Sequence, residues 1–303
     1  MQLLKALEQI RTPFFDKFFL LVTQLGEELV FTVILLIVIW TISKKHGYQM
    51  FFIFTIGSLV NQVAKLIFKI QRPWTYDDGI TPVKGSVEGA GGYSFPSGHT
   101  QQSVSLFGSI AMFLKKVWVY IAMIFLILIV AFSRMYLGVH TPADVFTSLG
   151  VGLILLFFSA FLFKKFDKYK YGDAYLFAIM GLVTAIAIVV LSFSKVDTEE
   201  FIGSVANGWR LLGCCIAMVI AIVADVKFIK FEVKAKWWQQ IIKIVVGLGG
   251  VLAIKTFLKQ PLLNLFNNHP IAEGTRYFLI ILFAALIFPY FFKFLNPKAR
   301  KEQ

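Results

Sequence analysis

The chain has 303 residues, 58% of them hydrophobic and only 16% charged, with a formal net charge of +13. Its mean hydropathy of +0.75 excludes an ordinary soluble domain, because apolar runs near the roughly 20 residues that cross a bilayer recur along the whole length. The cations fall mostly on lysines in alternate connections, which membrane topology and anionic headgroups explain, and no nucleic-acid partner is expected.

Met1 to Arg11 reads as a short amphipathic helix at the interface, and no cleavable signal peptide is expected. About nine apolar spans follow, at 18–43, 50–70, 97–114, 117–135, 143–163, 174–194, 202–226, 240–258 and 276–295. The first is split by Gly26-Glu27-Glu28 into a segment near 13–24 and a span from Leu29, with both glutamates expected near the membrane surface. The pattern predicts an all-α, polytopic membrane bundle. Its expected organisation is an N-terminal interfacial or re-entrant segment 1–28, a bundle 29–195, and further helices 196–303. Cys214 and Cys215 sit side by side in an apolar run and read as small core residues.

The lysine-rich connections carry Lys44 and Lys45; Lys115 and Lys116; Lys164, Lys165, Lys168 and Lys170; Lys227, Lys230, Lys234 and Lys236. Lys293, Lys298, Arg300 and Lys301 add to them at the tail. With nine spans these share one side, which the positive-inside rule makes cytoplasmic. The loop 71–96 and the turn 136–142 then face outward. Trp74, Tyr76 and Tyr93 in that loop read as interfacial anchors.

Three short motifs gather at the outward ends of the spans. Lys65 and Arg72 close the second span, Ser97, Gly98 and His99 open the third, and Arg134 closes the fourth. His140 and Asp144 lead into the fifth. A cation inside a span costs roughly 2.5–3.5 kcal/mol, and snorkelling explains any one of them alone. Three together beside a Ser-Gly helix start point to an anion site. Arginine offers a fork of donors, lysine a point charge, and the helix start its free N–H groups. Ser97 is placed to cap that helix, and Gly98 lets the backbone approach an oxygen closely. Two histidines supply a nucleophile and an acid. Asp144, one turn after His140, can orient its ring. Thr141-Pro142-Ala143-Asp144 also reads as a helix start with a capping box, and both roles can hold at once. His46 and His269 are assigned to polar filling.

In sequence these blocks are KLIFKIQRP, PSGH and SRMYLGVHTPAD. Their order and content resemble the type 2 phosphatidic acid phosphatase superfamily of integral-membrane lipid phosphatases, over roughly residues 50–163 and the span before. The resemblance implies a six-helix core, which the chain extends by about three helices, as in the sphingosine-phosphate phosphatase and glucose-6-phosphatase branches. It further implies a nucleophile at His140 forming a phosphohistidine, with Asp144 orienting it. His99 becomes the acid that protonates the leaving oxygen and then activates water. Lys65, Arg72, Ser97, Gly98 and Arg134 become the phosphate holders. No metal or other cofactor is implied.

The expected substrate is an amphiphilic phosphorylated lipid entering from the outer leaflet: phosphatidic acid, phosphatidylglycerol phosphate, a sphingoid phosphate or undecaprenyl diphosphate. The richness in Ile, Phe and Lys suggests a bacterial plasma membrane. Homo-oligomerisation is one use of the C-terminal helices that the sequence leaves open. Two rival readings are a phosphotransferase built on the same phosphohistidine and a lipid-phosphate transporter without hydrolysis. Charges at span ends, together with two histidines and an aligned Asp, favour hydrolysis over transport.

Overall fold

The computed structural model describes residues 1–77, 79–88, 90–193 and 199–295. The expected tail cations Lys298, Arg300 and Lys301 lie outside these residues, as does the side chain of Lys293. Regular structure among the described residues is helical throughout, with no strand. The helices are α1 Gln2–Gln9, α2 Pro13–Gln24, α3 Glu28–Ile37, α4 Lys44–Phe68 and α5 Pro73–Tyr76. Next come α6 Gly98–Leu114, α7 Val117–Tyr136, α8 Pro142–Phe166 and α9 Gly172–Ser192. The chain continues through α10 Glu199–Ala224, α11 Trp237–Phe257, α12 Lys259–Leu265 and α13 Ile271–Leu282, then α14 Phe288–Tyr290 and α15 Phe292–Leu295. Turns of π-helix extend α3 over Val38–Ile42, α10 over Asp225–Ile229 and α13 over Phe283–Ile287.

Of the nine expected spans, seven are helices long and apolar enough to cross a membrane among the described residues, and a bent pair, Pro13–Gln24 with Glu28–Ile42 at 47°, makes an eighth. The ninth, α6, has 17 residues and is about 25 Å long, at the short end of the range that crosses a bilayer. Its start is fixed by the Pro96-Ser97 turn, and its end by Lys115 at φ +51°.

The chain forms two compact units, Met1–Thr32 with Ile53–Ser159, and Val33–Phe52 with Ala160–Gln303. The first unit holds every motif residue. Its α2 starts at Thr12, whose hydroxyl accepts from the Phe15 N–H at 3.3 Å, with Pro13 in the first turn; both are standard helix-start chemistry. The amphipathic α1 buries Leu4 and Leu7, and Leu7 packs against Ala131, Met135 and Val145. Arg11 then ties the segment down: Nε and Nη2 donate to the Tyr136 carbonyl at 3.1 and 2.9 Å, and Nη1 donates to Thr81 O. Lys5 pairs with Asp77 at 3.0 Å, so α1 is fastened to the loop between α5 and α6. Trp74 is also only partly exposed, packed on the Phe19, Tyr136 and Val139 cluster, and does not stand free as an anchor.

Helices α6 and α8 interlock through glycines. A Cβ on Gly108 would stand 2.6 Å from Leu156, and one on Gly152 2.9 Å from Val104. Small residues at such crossings let backbones approach closely where water cannot drive packing. Across α4 and α6, Gln101 donates to Gly57 O at 2.9 Å and accepts from Asn61 Nδ2 at 2.8 Å. These buried amides lie just below the first turn of α6 and fix its height.

The second unit follows the same physics. Gly213 and Gly274 bring α10 against α13, where a Cβ on Gly213 would meet Gly274 O at 2.1 Å. Its buried charges are compensated internally. Lys44 pairs with Asp225 at 2.7 Å, Glu273 takes Arg210 at 2.8 Å and also Arg276, and Lys243 donates to the Val233 carbonyl at 3.1 Å. Cys214 and Cys215 are free and buried, as the sequence predicts.

Candidate active site

Lys65 and Arg72 flank the end of α4, where Lys69 turns the chain at φ +49°. Both cations reach back to the loop that precedes α6. Lys65 Nζ donates to Tyr93 O at 2.8 Å. Arg72 donates from Nε to Gly92 O at 2.9 Å, from Nη2 to Gly91 O at 2.8 Å, and from Nη1 to Val139 O at 3.0 Å. A buried guanidinium needs such partners, and carbonyl oxygens serve without adding charge. The loop is thereby pulled onto the ends of α4 and α7.

His140 follows the turn that ends α7. Gly138 sits at φ +76° in that turn, a region that favours glycine. The turn delivers His140 into the interior with 2% exposure, beside Asp144 at 1%. The ring is gripped on both nitrogens. Nδ1 is 3.4 Å from Asp144 Oδ2, at the outer limit of a hydrogen bond, while Nε2 is 2.9 Å from Arg72 Nη1. Arg72 can only donate, so Nε2 is the acceptor and the ring proton sits on Nδ1. Ser94 reinforces the arrangement: its hydroxyl is 2.6 Å from Asp144 Oδ2 and 3.4 Å from His140 Nδ1. The same Asp144 oxygen accepts from the Thr141 N–H at 2.8 Å, and Thr141 Oγ1 accepts from the Asp144 N–H at 3.3 Å. The two roles expected for Asp144 thus coexist, helix cap and histidine partner. Burial first, then Arg72, Arg134 and Lys65, push the His140 imidazole well below its ordinary value of 6.5. It is held neutral, the state in which nitrogen can attack.

The start of α6 differs in one detail from the sequence expectation. Ser97 occupies the cap position, but its hydroxyl accepts from Thr100 Oγ1 at 3.0 Å instead of from a backbone N–H. Its own N–H donates to Asp144 O at 3.3 Å. That bond ties the first turn of α6 to the start of α8. Gly98 faces open space: a Cβ there would find only Asn61 Oδ1, at 3.9 Å. Packing alone therefore does not demand a glycine at this position.

Arg134 is 2% exposed. Its Nη1 donates to Thr23 Oγ1 at 2.6 Å, while Nε and Nη2 are buried without a partner among the described residues. Such groups cost free energy until an acceptor arrives. His99 Nε2 lies 2.8 Å from Glu27 Oε1. All eight motif residues thus lie in one compact unit. Sequence reasoning missed three neighbours: Ser94, Thr23 and Glu27. The signal for Glu27 was present, since a carboxylate between two apolar segments is expensive. His46 and His269 stay in local contacts, with Ser43 and with the Ile271 N–H.

Comparison with known proteins agrees with this geometry. The sequence signature of the PAP2 superfamily matches residues 47–168, and that of the "PAP2 superfamily phosphatase, transmembrane extension" matches residues 209–300. Over 177 residues the chain is 30% identical to phosphatidylglycerophosphatase B of Bacillus subtilis, covering 54% of this chain and 81% of that protein. It is 31% identical over 205 residues to sphingosine-1-phosphate phosphatase 1 of Mus musculus, covering 62% of this chain and 46% of the mouse protein. With undecaprenyl-diphosphatase of Sulfolobus acidocaldarius it shares 28% over 125 residues, 41% of this chain and 58% of the other. The chain therefore spans about half the length of these last two proteins. Thr23 and Glu27 precede the region matched by the superfamily signature.

The neutrality of His140 is directly measurable. In ligand-free protein labelled with 15N-histidine, with His140→Gln to assign the signal, the His140 ring should remain uncharged at pH 6.5. A midpoint at or above 6.5 would contradict the electrostatics described above.

Proposed function

The chain belongs to the PAP2 superfamily of membrane phosphatases, and from that premise we propose that it hydrolyses the phosphate or diphosphate monoester of a lipid through a phosphohistidine. One observation carries this reading: an imidazole held on both nitrogens, the His99 ring and two Arg134 N–H donors without a partner among the described residues belong to one compact unit. His140 Nε2 attacks phosphorus, and the leaving oxygen departs with a proton from His99. Asp144 and Ser94 stabilise the positive charge that develops on the His140 ring. Arg134, Lys65 and Arg72 oppose the charge building on the phosphoryl oxygens, aided by the first-turn N–H groups of α6 at Gly98. Water then attacks the phosphohistidine, with His99 as base. No step calls on a metal ion.

An amphiphile suits a site set among span ends. Phosphatidic acid, phosphatidylglycerol phosphate, sphingoid phosphates and undecaprenyl diphosphate all present a phosphate at the head of an apolar tail, and the names of the relatives run across that range. In this reading residues 29–195 form the catalytic bundle and draw Thr23 and Glu27 from segment 1–28. Residues 196–303 add packing helices. The protein lies in a bacterial plasma membrane with its site facing outward, as the lysine-rich connections indicate.

Purified protein in detergent should release phosphate from at least one of these lipids in the presence of chelator. His140→Ala should lower that release by about a thousandfold or more, in line with loss of a covalent nucleophile. Wild-type turnover in His140→Ala would exclude the phosphohistidine, and loss of activity in chelator would exclude the metal-free route. For orientation, Val87→Cys in a background lacking Cys214 and Cys215 should react with an impermeant maleimide added outside intact cells. Labelling only after permeabilisation would place the site in the cytoplasm.

A further inference from the structure

The described structure contains a second histidine–carboxylate pair, outside the three motifs. Glu27 stands at the break between α2 and α3, and its Oε1 is 2.8 Å from His99 Nε2. Among the described residues it is the only hydrogen-bond partner of that ring. The break is pressed against α6: a Cβ on Gly26 would stand 2.8 Å from the His99 carbonyl oxygen and 3.1 Å from His99 Cβ. One turn earlier, Thr23 Oγ1 holds Arg134 Nη1 at 2.6 Å. A single interrupted helix thus grips both the proposed acid and the arginine with free donors.

Charge explains why a carboxylate belongs here. His99 must carry a proton to release an alkoxide, yet it shares the site with cations. Burial first, then Arg134 and Arg72, oppose a second positive charge there, and Glu27 favours one. His99 and Lys65 in turn oppose a charge on His140. Without a counter-charge the imidazolium would lose its proton to solvent before the chemistry needs it.

On the reading that His99 is the general acid, we infer that Glu27 is its positioning residue, accepting the Nε2–H and stabilising the imidazolium. Nδ1 is then the working nitrogen. As the bond from phosphorus to His140 Nε2 forms and that to the leaving oxygen breaks, the Nδ1 proton passes to that oxygen, and the ring becomes neutral with its Nε2–H still on Glu27. In the second half-reaction a water oxygen bonds to phosphorus, the phosphorus–nitrogen bond breaks, and the water proton returns to Nδ1.

Two substrates separate this role from a structural one. Phosphatidic acid has an alkoxide leaving group that needs a proton, whereas p-nitrophenyl phosphate has one that does not. Glu27→Gln should lower kcat on phosphatidic acid by roughly tenfold to a hundredfold, with KM little changed. The nitrophenolate burst should stay within about threefold of wild type. Glu27→Asp should recover part of the loss, and His99→Ala should show the same selectivity with a larger effect. Elution volume and thermal unfolding of Glu27→Gln should match wild type. Full activity of Glu27→Gln on phosphatidic acid, or equal losses on both substrates, would overturn the role of Glu27. Full activity of His99→Ala would instead remove His99 as the acid and with it the reading on which this role rests.

Discussion

Three cations at the ends of apolar helices, Arg72 and Arg134 buried and Lys65 half-buried, are the constraint around which the first unit is built. Each must find oxygen, because an unpaired charge away from water is among the costliest features a protein can carry. Lys65 and Arg72 find it in the carbonyls of Gly91, Gly92, Tyr93 and Val139. The loop before α6 is therefore shaped by charge as much as by its apolar contacts. Among the described residues Arg134 finds a partner only through Nη1, and its Nε and Nη2 stay buried. That asymmetry separates the cations by role. Lys65 and Arg72 spend their donors on the loop and the His140 ring, and Arg134 leaves two over.

Asp144 shows how little separates folding from chemistry here. One oxygen caps α8 through the Thr141 N–H, accepts from Ser94 and faces the His140 ring. The start of α8 cannot move without turning the imidazole. Through Ser97 N–H and the Asp144 carbonyl, the start of α6 is tied to the same point. The chain thus fixes two helix starts and a tautomer with a single cluster of hydrogen bonds, which is the preorganisation that acyl- and phosphoryl-transfer sites depend on.

Much of this was legible in the sequence because the costs are local. Arginine and lysine at span ends, a Ser-Gly helix start and a His-x3-Asp spacing each announce themselves within a few residues. What escaped was set by tertiary approach. Glu27 and Thr23 meet His99 and Arg134 across more than 70 residues, through a helix break whose angle no local pattern specifies. Ser94 sits only three residues before Ser97, yet its partner Asp144 is 50 residues away. The Ser97 hydroxyl was expected on a backbone N–H because cap propensity says so; Thr100, one turn on, competes for it. The expected ninth span is the shortest because Pro96 and Lys115 bound α6 more tightly than its hydropathy suggests.

The most direct test of the account is to catch the phosphorylated intermediate. Protein mixed with a 32P-labelled lipid phosphate is quenched within milliseconds in alkali, digested and mapped by mass spectrometry. The account predicts one acid-labile, alkali-stable phosphate on the peptide containing His140, absent from His140→Ala. Steady release of phosphate with no label on that peptide would show that water attacks the lipid directly, and would contradict it.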